Sequence, residues 1–294
     1  MLKIKNKEKL VKISVMGNID APGFPTVPWT PHFMTREGTL SLLPLNGGIV
    51  YNVRIGDPAM GWLAEVIEPG VSIRSKDAAA HRALKVFACL GNEAVVMSGR
   101  AKGAKGVVAG KSGRFMDHLI LDFPPEAMET LAVGDAIQVR AYGLGAAIEG
   151  FPNVTVKNID PGLAERMGIK VQGGKLQVPV VATLPAELMG AGAGLDSDGG
   201  ALQLQTNSPG MVEEYGLKDL RLGDVIAVRD YDTTYAPGYL RGATSVGIVC
   251  HGDSVRVGFG PGLVCFLTGP TAEIEPVHDA KANMARIMGL GAFR

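Results

Sequence analysis

The chain has 294 residues, with 29 Lys plus Arg against 29 Asp plus Glu and a formal net charge of zero. A protein that grips nucleic-acid phosphates or an anionic membrane surface carries a basic excess, so neither partner is expected. Three widely spaced cysteines, Cys89, Cys250 and Cys265, give no disulfide framework, and a cytoplasmic location is expected.

At this length one hydrophobic core stops growing, and 46% hydrophobic residues suffice for two domains. Forty Gly and 18 Pro with only 6% aromatics imply many turns joining short strands, and hence a mainly β protein with short helices.

In chain order, Leu2 to Leu10 alternates Lys with apolar residues and contains no apolar run of signal-peptide kind. Residues 17 to 39, with Pro22, Pro25, Pro28 and Pro31 beside Trp29, His32 and Phe33, read as a long irregular loop. Such an arm suits a subunit contact, and a homo-oligomer is expected. Lys76 to Leu90 reads as an amphipathic helix with Ser75 or Asp77 as N-cap. The Gly-rich stretch Gly143 to Phe151 is the expected boundary, giving domains 1–150 and 151–294. A new strand then starts at Val154 to Lys157, and a last helix is expected over Asp279 to Met288. The apolar tract Val178 to Leu195 is Gly-rich and broken by Pro185 and Glu187, which excludes a spanning helix there.

The chain repeats itself. Leu131 to Tyr142 returns as Leu220 to Tyr231, with Leu, Gly, Asp, Ile, Val, Arg and Tyr in register. Alternating strands precede each copy, His118 to Phe123 and Ala201 to Thr206, followed by Pro-led helical turns, Pro124 to Thr130 and Pro209 to Leu217. This strand, helix, Gly-Asp turn, strand unit resembles the Gly-Asp box of the cradle-loop barrels, which implies two related cradle-loop-like β-barrel domains. Asp135 and Asp224 recur and are expected to support the turn, with Arg140 and Arg229 topping the strand.

Gly106 to Gly113 superficially resembles a phosphate loop, but Lys105 stands where its first Gly belongs and a strand pattern follows where a helix is needed. No nucleotide is therefore expected, and the segment reads as a hairpin that leaves Lys111 as an isolated cation for an anionic ligand. Ser112 lacks a nucleophile-elbow pattern, and Cys250 and His251, as strand neighbours, face opposite ways.

Two glycine-rich regions of the second half carry the candidate chemistry. Gly190 to Gly200 contains Gly192 and Gly194, whose backbone N–H groups a ligand could approach, and Asp196 and Asp198, which an extended loop turns to one side. The strand Val246 to Val249 runs into Cys250, His251 and Asp253, where an imidazole and a carboxylate could share a metal or a proton. Asp57, Lys76, Asp77, His81 and His118 qualify only by side-chain type.

Over its whole length, and especially at Gly106 to Tyr142, Val156 to Pro161 and Arg241 to Gly269, the chain resembles a bacterial and archaeal family catalogued only as a domain of unknown function. More distantly, Asn158-Ile159-Asp160-Pro161, the strand Val178-Pro179-Val180 and the glycine loop to Gly200 follow an order similar to the acetamidase/formamidase family. That resemblance implies a divalent metal that activates water for hydrolysis of a small amide. Only Asp160, Asp196 and Asp198 carry over, because the family's His and Glu around its glycine loop are absent. The expected set is then Asp160, Asp196, Asp198 and His251 on metal, with Asp196, His251 and Asp253 as catalytic groups. The alternative is a small-ligand-binding or scaffold protein without chemistry.

Overall fold

A computed structural model describes residues 2–23, 31–113, 117–192 and 197–294. The first half contains β1 (Ile13–Ile19), β2 (Phe33–Met34), β3 (Leu40–Ser41), β4 (Ile49–Val50), β5 (Gly70–Arg74), α1 (Ala78–Phe87), β6 (Glu93–Val96), β7 (Lys105–Lys111), β8 (Leu119–Asp122), α2 (Pro125–Met128) and β9 (Ala136–Ala141). Six strands close a ring in the order β1, β9, β6, β7, β8, β5, because β5 pairs back onto β1 through Asn18 with Arg74 and Ile19 with Ile73. Closure removes unpaired strand edges. Alternate residues point inward, so Val15, Ile19, Ile73, Val108, Leu121, Ile137 and Val139 share one core. The strand β4 lies outside the ring on β5, and β2 and β3 form a separate hairpin.

The second half contains β10 (Thr155–Val156), α3 (Pro161–Arg166), β11 (Lys170–Gln172), β12 (Lys175–Val180), β13 (Ala182–Leu184), β14 (Leu202–Gln203), α4 (Pro209–Glu214), β15 (Val225–Asp232), β16 (Gly238–His251), β17 (Gly262–Gly269), β18 (Ile274–His278) and α5 (Met284–Met288). Its main sheet runs β10, β17, β16, β15, β13, with β14 also on β17, while β11, β12 and β18 form a smaller sheet. Among the described residues, strand pairing closes the first of the two expected barrels and leaves this second set of pairings unclosed. Where β8 pairs with a strand on both sides, its counterpart β14 pairs with β17 on one side and meets an irregular segment on the other, Gly190 N–H donating to Gln203 O and Gln203 N–H to Ala191 O, both at 2.8 Å. Past it, Leu204 makes a single bridge to Met189 and Gln205 N–H turns to Leu188 O.

The Gly-Asp repeat is reproduced in atomic detail. Gly134 and Gly223 adopt φ of 94° and 93°, a region that L side chains avoid. One residue on, Asp135 Oδ2 accepts from Ala132 N–H at 2.9 Å and Asp224 Oδ2 from Arg221 N–H at 2.8 Å. The repeated Asp thus closes an Asx turn that aims the strand after it. Asp77 caps α1 by accepting from Ala80 N–H at 2.7 Å, and the helix stops at Phe87, shorter than its apolar pattern. The terminal helix begins only at Met284, because Asn283 accepts from Ala285 and Arg286 N–H as its N-cap while donating to Asp224.

Outside the barrel's own core, the halves share a second one. Residues 53–67 cross to the second half, where Gly56 and Ala59 N–H donate to Leu222 and Leu220 O and Gly252 N–H donates to Ile67 O. Gly110 of β7 lies against β16 so closely that a Cβ would stand 2.6 Å from Cys250 Cβ. Among the described residues no helix is long and apolar enough to cross a membrane.

Candidate functional site

The strand order of the barrel brings distant residues to one point. Asp20 follows β1, Ser72 lies in β5 and His118 precedes β8, and these three strands are neighbours. Asp20 N–H donates to Ser72 O at 3.0 Å, which fixes the loop carrying the carboxylate. Glu68, just before β5, is fully buried. Its Oε2 lies 2.9 Å from His118 Nδ1 and accepts from Ser72 Oγ–H at 2.5 Å, while Oε1 accepts from Asn46 Nδ2–H at 3.2 Å. The other ring nitrogen, Nε2, faces Asp20 Oδ2 at 3.4 Å, and that oxygen is 4.0 Å from Arg74.

These contacts set the charge states. Burial opposes ionisation of Glu68, but the His118 charge and the hydrogen bonds from His118, Ser112 and Ser72 outweigh it and hold the carboxyl below its ordinary range. Burial likewise opposes protonation of His118, and Glu68 and then Asp20 override it, so the imidazole pKa is raised. His118 is therefore an imidazole oriented by a buried carboxylate on one nitrogen and directed by the other toward a carboxylate that is 37% exposed. That is the geometry of a proton-transfer group.

Beside it opens a cleft of about 330 Å³, lined among others by Pro22, Gly47, Tyr51, Trp62, Leu63 and Ile67. A Cβ on Gly47 would stand 3.2 Å from His118 Cε1, so this glycine lets the imidazole edge approach the cleft wall. Asn46, between the wall residues Leu45 and Gly47, is 4% exposed, and its Oδ1 has no hydrogen-bond partner among the described residues.

Lysines fasten the loop stems around this point. Lys85 of α1 is buried and donates to Ser112 O at 2.7 Å and His118 O at 2.9 Å, and pairs with Asp117 at 2.8 Å. Burial, incompletely offset by Asp117, lowers its pKa. Asp117 resists burial through His81 and Lys85, which hold its pKa down to about 2. Lys111, proposed from sequence as a cation for a ligand, is fully buried and donates to Asn158 Oδ1 at 2.6 Å and Asp198 O at 2.8 Å. Its ammonium fastens two segments of the second half.

The second-half residues expected to form a metal site have protein partners. Asp160 caps α3, accepting from Gly162 N–H at 2.7 Å and Leu163 N–H at 3.2 Å, and its other oxygen accepts from Asn92. Asp198 pairs with Lys157 at 3.2 Å. His251 is buried between Gly252 O, 3.0 Å from Nδ1, and Gln203 Nε2, 3.0 Å from Nε2. Burial lowers its pKa, so the imidazole is neutral with both nitrogens engaged. The facing Gly262 makes room for that ring, since a Cβ there would fall 2.0 Å from Nε2. Asp253 accepts from Thr206 Oγ1–H at 2.8 Å beside Arg36, and burial raises its pKa. Gly192 is exposed at the mouth of its loop, while Gly194 and Asp196 lie outside the described residues. Among the described residues no three His, Cys, Asp or Glu side chains converge on a point that would hold a metal. Asp160 and His251 in particular do not fit a metal without giving up a helix cap and a buried hydrogen-bonded pair.

Sequence reasoning named His118 only by type and missed Asp20, Asn46 and Glu68. No local signal joins them, because they are spread from residue 20 to residue 118 and meet only through strand pairing. Of the others named by type, Asp57 accepts from Arg54 N–H at 2.7 Å, Asp77 caps α1 and His81 pairs with Asp117.

A closed six-stranded barrel with its own core, packed through a second core against a sheet with the same Gly-Asp turn, defines a two-domain, mainly β protein. The chain belongs to the family described as Domain of unknown function DUF4438. The N-terminal family model matches residues 32–165 and the C-terminal one residues 166–288. A solved structure titled "Crystal structure of TM1086" is similar to it at 41% sequence identity and a TM-score of 0.90, covering 95% of this chain and 97% of that one. No curated protein matches the chain. These matches lend no support to the acetamidase/formamidase resemblance, whose short Asn-Ile-Asp-Pro segment is here a helix cap.

Proposed function

We propose that the chain takes up a small organic molecule in the cleft beside Gly47 and that His118 is its proton-transfer group. Glu68 orients His118 and stabilises its charge, and Asp20 links it to solvent. The observation that carries this reading is the imidazole held at 2.9 Å by a fully buried carboxylate while its other nitrogen faces the partly exposed Asp20. A buried carboxylate costs stability unless it is paired, and pairing it with the one side chain that titrates near neutrality is an arrangement suited to acid–base work. We also read the second sheet as a cradle-loop-like unit, on the strength of its Gly-Asp turn. Metal-assisted amide hydrolysis is the less supported alternative, since it asks Asp160, Asp198 and His251 to abandon the partners described above.

A fragment screen followed by backbone and imidazole NMR tests the reading. Hits are expected to shift Gly47, Gly48 and the Trp62 indole N–H and to move the His118 titration. Hits that gather instead around Gly192 and His251, leaving His118 unmoved, would sink it.

A further inference from the structure

The strand β4 leaves one pair of backbone groups without a partner. Ser72 N–H donates to Gly48 O at 2.9 Å, which makes Ile49 and Val71 a non-hydrogen-bonded antiparallel pair and turns Ile49 N–H and C=O away from β5. Among the described residues nothing bonds to either group. Both faces of this strand are covered, because the Ile49 side chain packs on the barrel core and the Val50 side chain on the second core. One edge is taken by β5, so the cleft that Ile49 and Val50 line runs along the direction left, the open edge. The other walls are uncharged. Tyr51, Trp62 and Leu63 supply apolar surface, and the Trp62 indole N–H is spent on Pro58 O at 2.8 Å. A charged group drawn into the cleft would lose hydration and meet no counter-charge.

Resting on the cleft reading above, we propose that the ligand is a short extended peptide that adds to the open edge of β4, capped or internal so that no charged terminus enters. One of its residues donates its N–H to Ile49 O and accepts from Ile49 N–H at its own C=O, the pairing of an added strand. Its apolar side chains take the uncharged walls. The size of the site decides between a small peptide and a strand of a partner protein. The edge is two residues long and presents a single outward N–H and C=O, whereas strand pairs that hold two proteins together run over several residues. The volume of about 330 Å³ is likewise at the small end of ligand sites. A ligand with apolar bulk but no amide would fill the walls and leave both Ile49 groups unpaired, losing the hydrogen bonds that fix its direction along the edge.

NMR titration of the full, isotope-labelled chain with N-acetyl-L-phenylalanine N-methylamide tests this, beside the ester in which oxygen replaces the phenylalanine N–H. The peptide is expected to shift the Ile49 amide, to slow its hydrogen exchange, and to bind about fivefold or more tighter than the ester, the scale of one hydrogen bond. Ile49→Pro deletes the outward N–H without removing a bond to β5, and should weaken the peptide by a similar factor, whereas Ile49→Val should bind it as the wild type does. Exchange at the Ile49 amide of the wild type carries the test should Ile49→Pro fail to fold. Equal binding of peptide and ester with the Ile49 amide unmoved, while both shift Gly47 and the Trp62 indole, would overturn strand addition and leave the cleft standing. Binding by neither, while other fragments still reach Gly47, would do the same. Binding by neither, with no fragment reaching Gly47, would overturn both.

Discussion

Glu68 and His118 show how a single buried pair sets a pH window. The Glu68 pKa is held below its ordinary 4.5, so its stabilising contribution is present above that value and is lost as pH falls through the lowered one. The His118 pKa is raised above 6.5, so its contribution is complete below 6.5 and is lost as pH rises through the raised value. The pair is thus strongest between the two. Glu68→Gln leaves a buried imidazolium with only the distant Asp20, and at pH 6 it is expected to cost about 3 kcal/mol in urea melts. The His118 titration seen by imidazole NMR should move down in the same variant. An unmoved titration would show that Glu68 does not hold the proton. His251 behaves oppositely. Burial keeps it neutral, so the unfolded chain takes up a proton there below pH 6.5 and stability falls toward acid.

Among the elements, the Gly-Asp turns give a controlled comparison, because the backbone is the same and the surroundings differ. At Gly134 a Cβ would meet nothing within 4 Å, whereas at Gly223 it would stand 2.8 Å from Asn283 Oδ1. Both positions share the strained φ, so Gly134→Ala is expected to cost about 1–2 kcal/mol from backbone alone. Gly223→Ala should cost at least about 1 kcal/mol more, because Asn283 also caps α5 and would have to move. Equal losses in thermal or urea melts would show that the Asn283 contact adds nothing. The repeat was legible in sequence because a turn with positive φ demands Gly, and an Asx closure demands Asp, at fixed spacing. Strand lengths were less legible. Ala201 to Thr206 alternates as well as His118 to Phe123 does, yet only Leu202–Gln203 pairs as a strand, because pairing depends on a neighbour that the local pattern does not specify.

On the scale of the molecule, the two halves are joined by one continuous set of buried side chains. Leu2, Ile4, Val53 and Ile55 pack in the same cluster as Leu222, Val249 and Phe266. Unfolding either half would strip apolar cover from the other, so calorimetry is expected to show one transition with calorimetric and van't Hoff enthalpies in agreement. Gly110→Ala places a methyl against Cys250 at the seam and is expected to lower stability by about 1–3 kcal/mol while keeping that single transition. Two resolved transitions in the wild type would show instead that the halves are independent.

The sequence by itself determined the β-rich class, the internal repeat and its Gly-Asp turns, and a helix N-cap at Ser75 or Asp77, because each rests on residues within a few positions of one another. Only the tertiary structure decided that the first unit closes, that Asp77 and not Ser75 caps α1, that Lys111 is a buried tie, and that Asp160 and His251 are already partnered. It also assembled Asp20, Asn46, Glu68 and His118, which belong to four separate segments. Local spacing fixes turns and caps through short-range sterics and hydrogen bonds. A site built across neighbouring strands is fixed by which strands pair, and that is settled by the packing of the whole core.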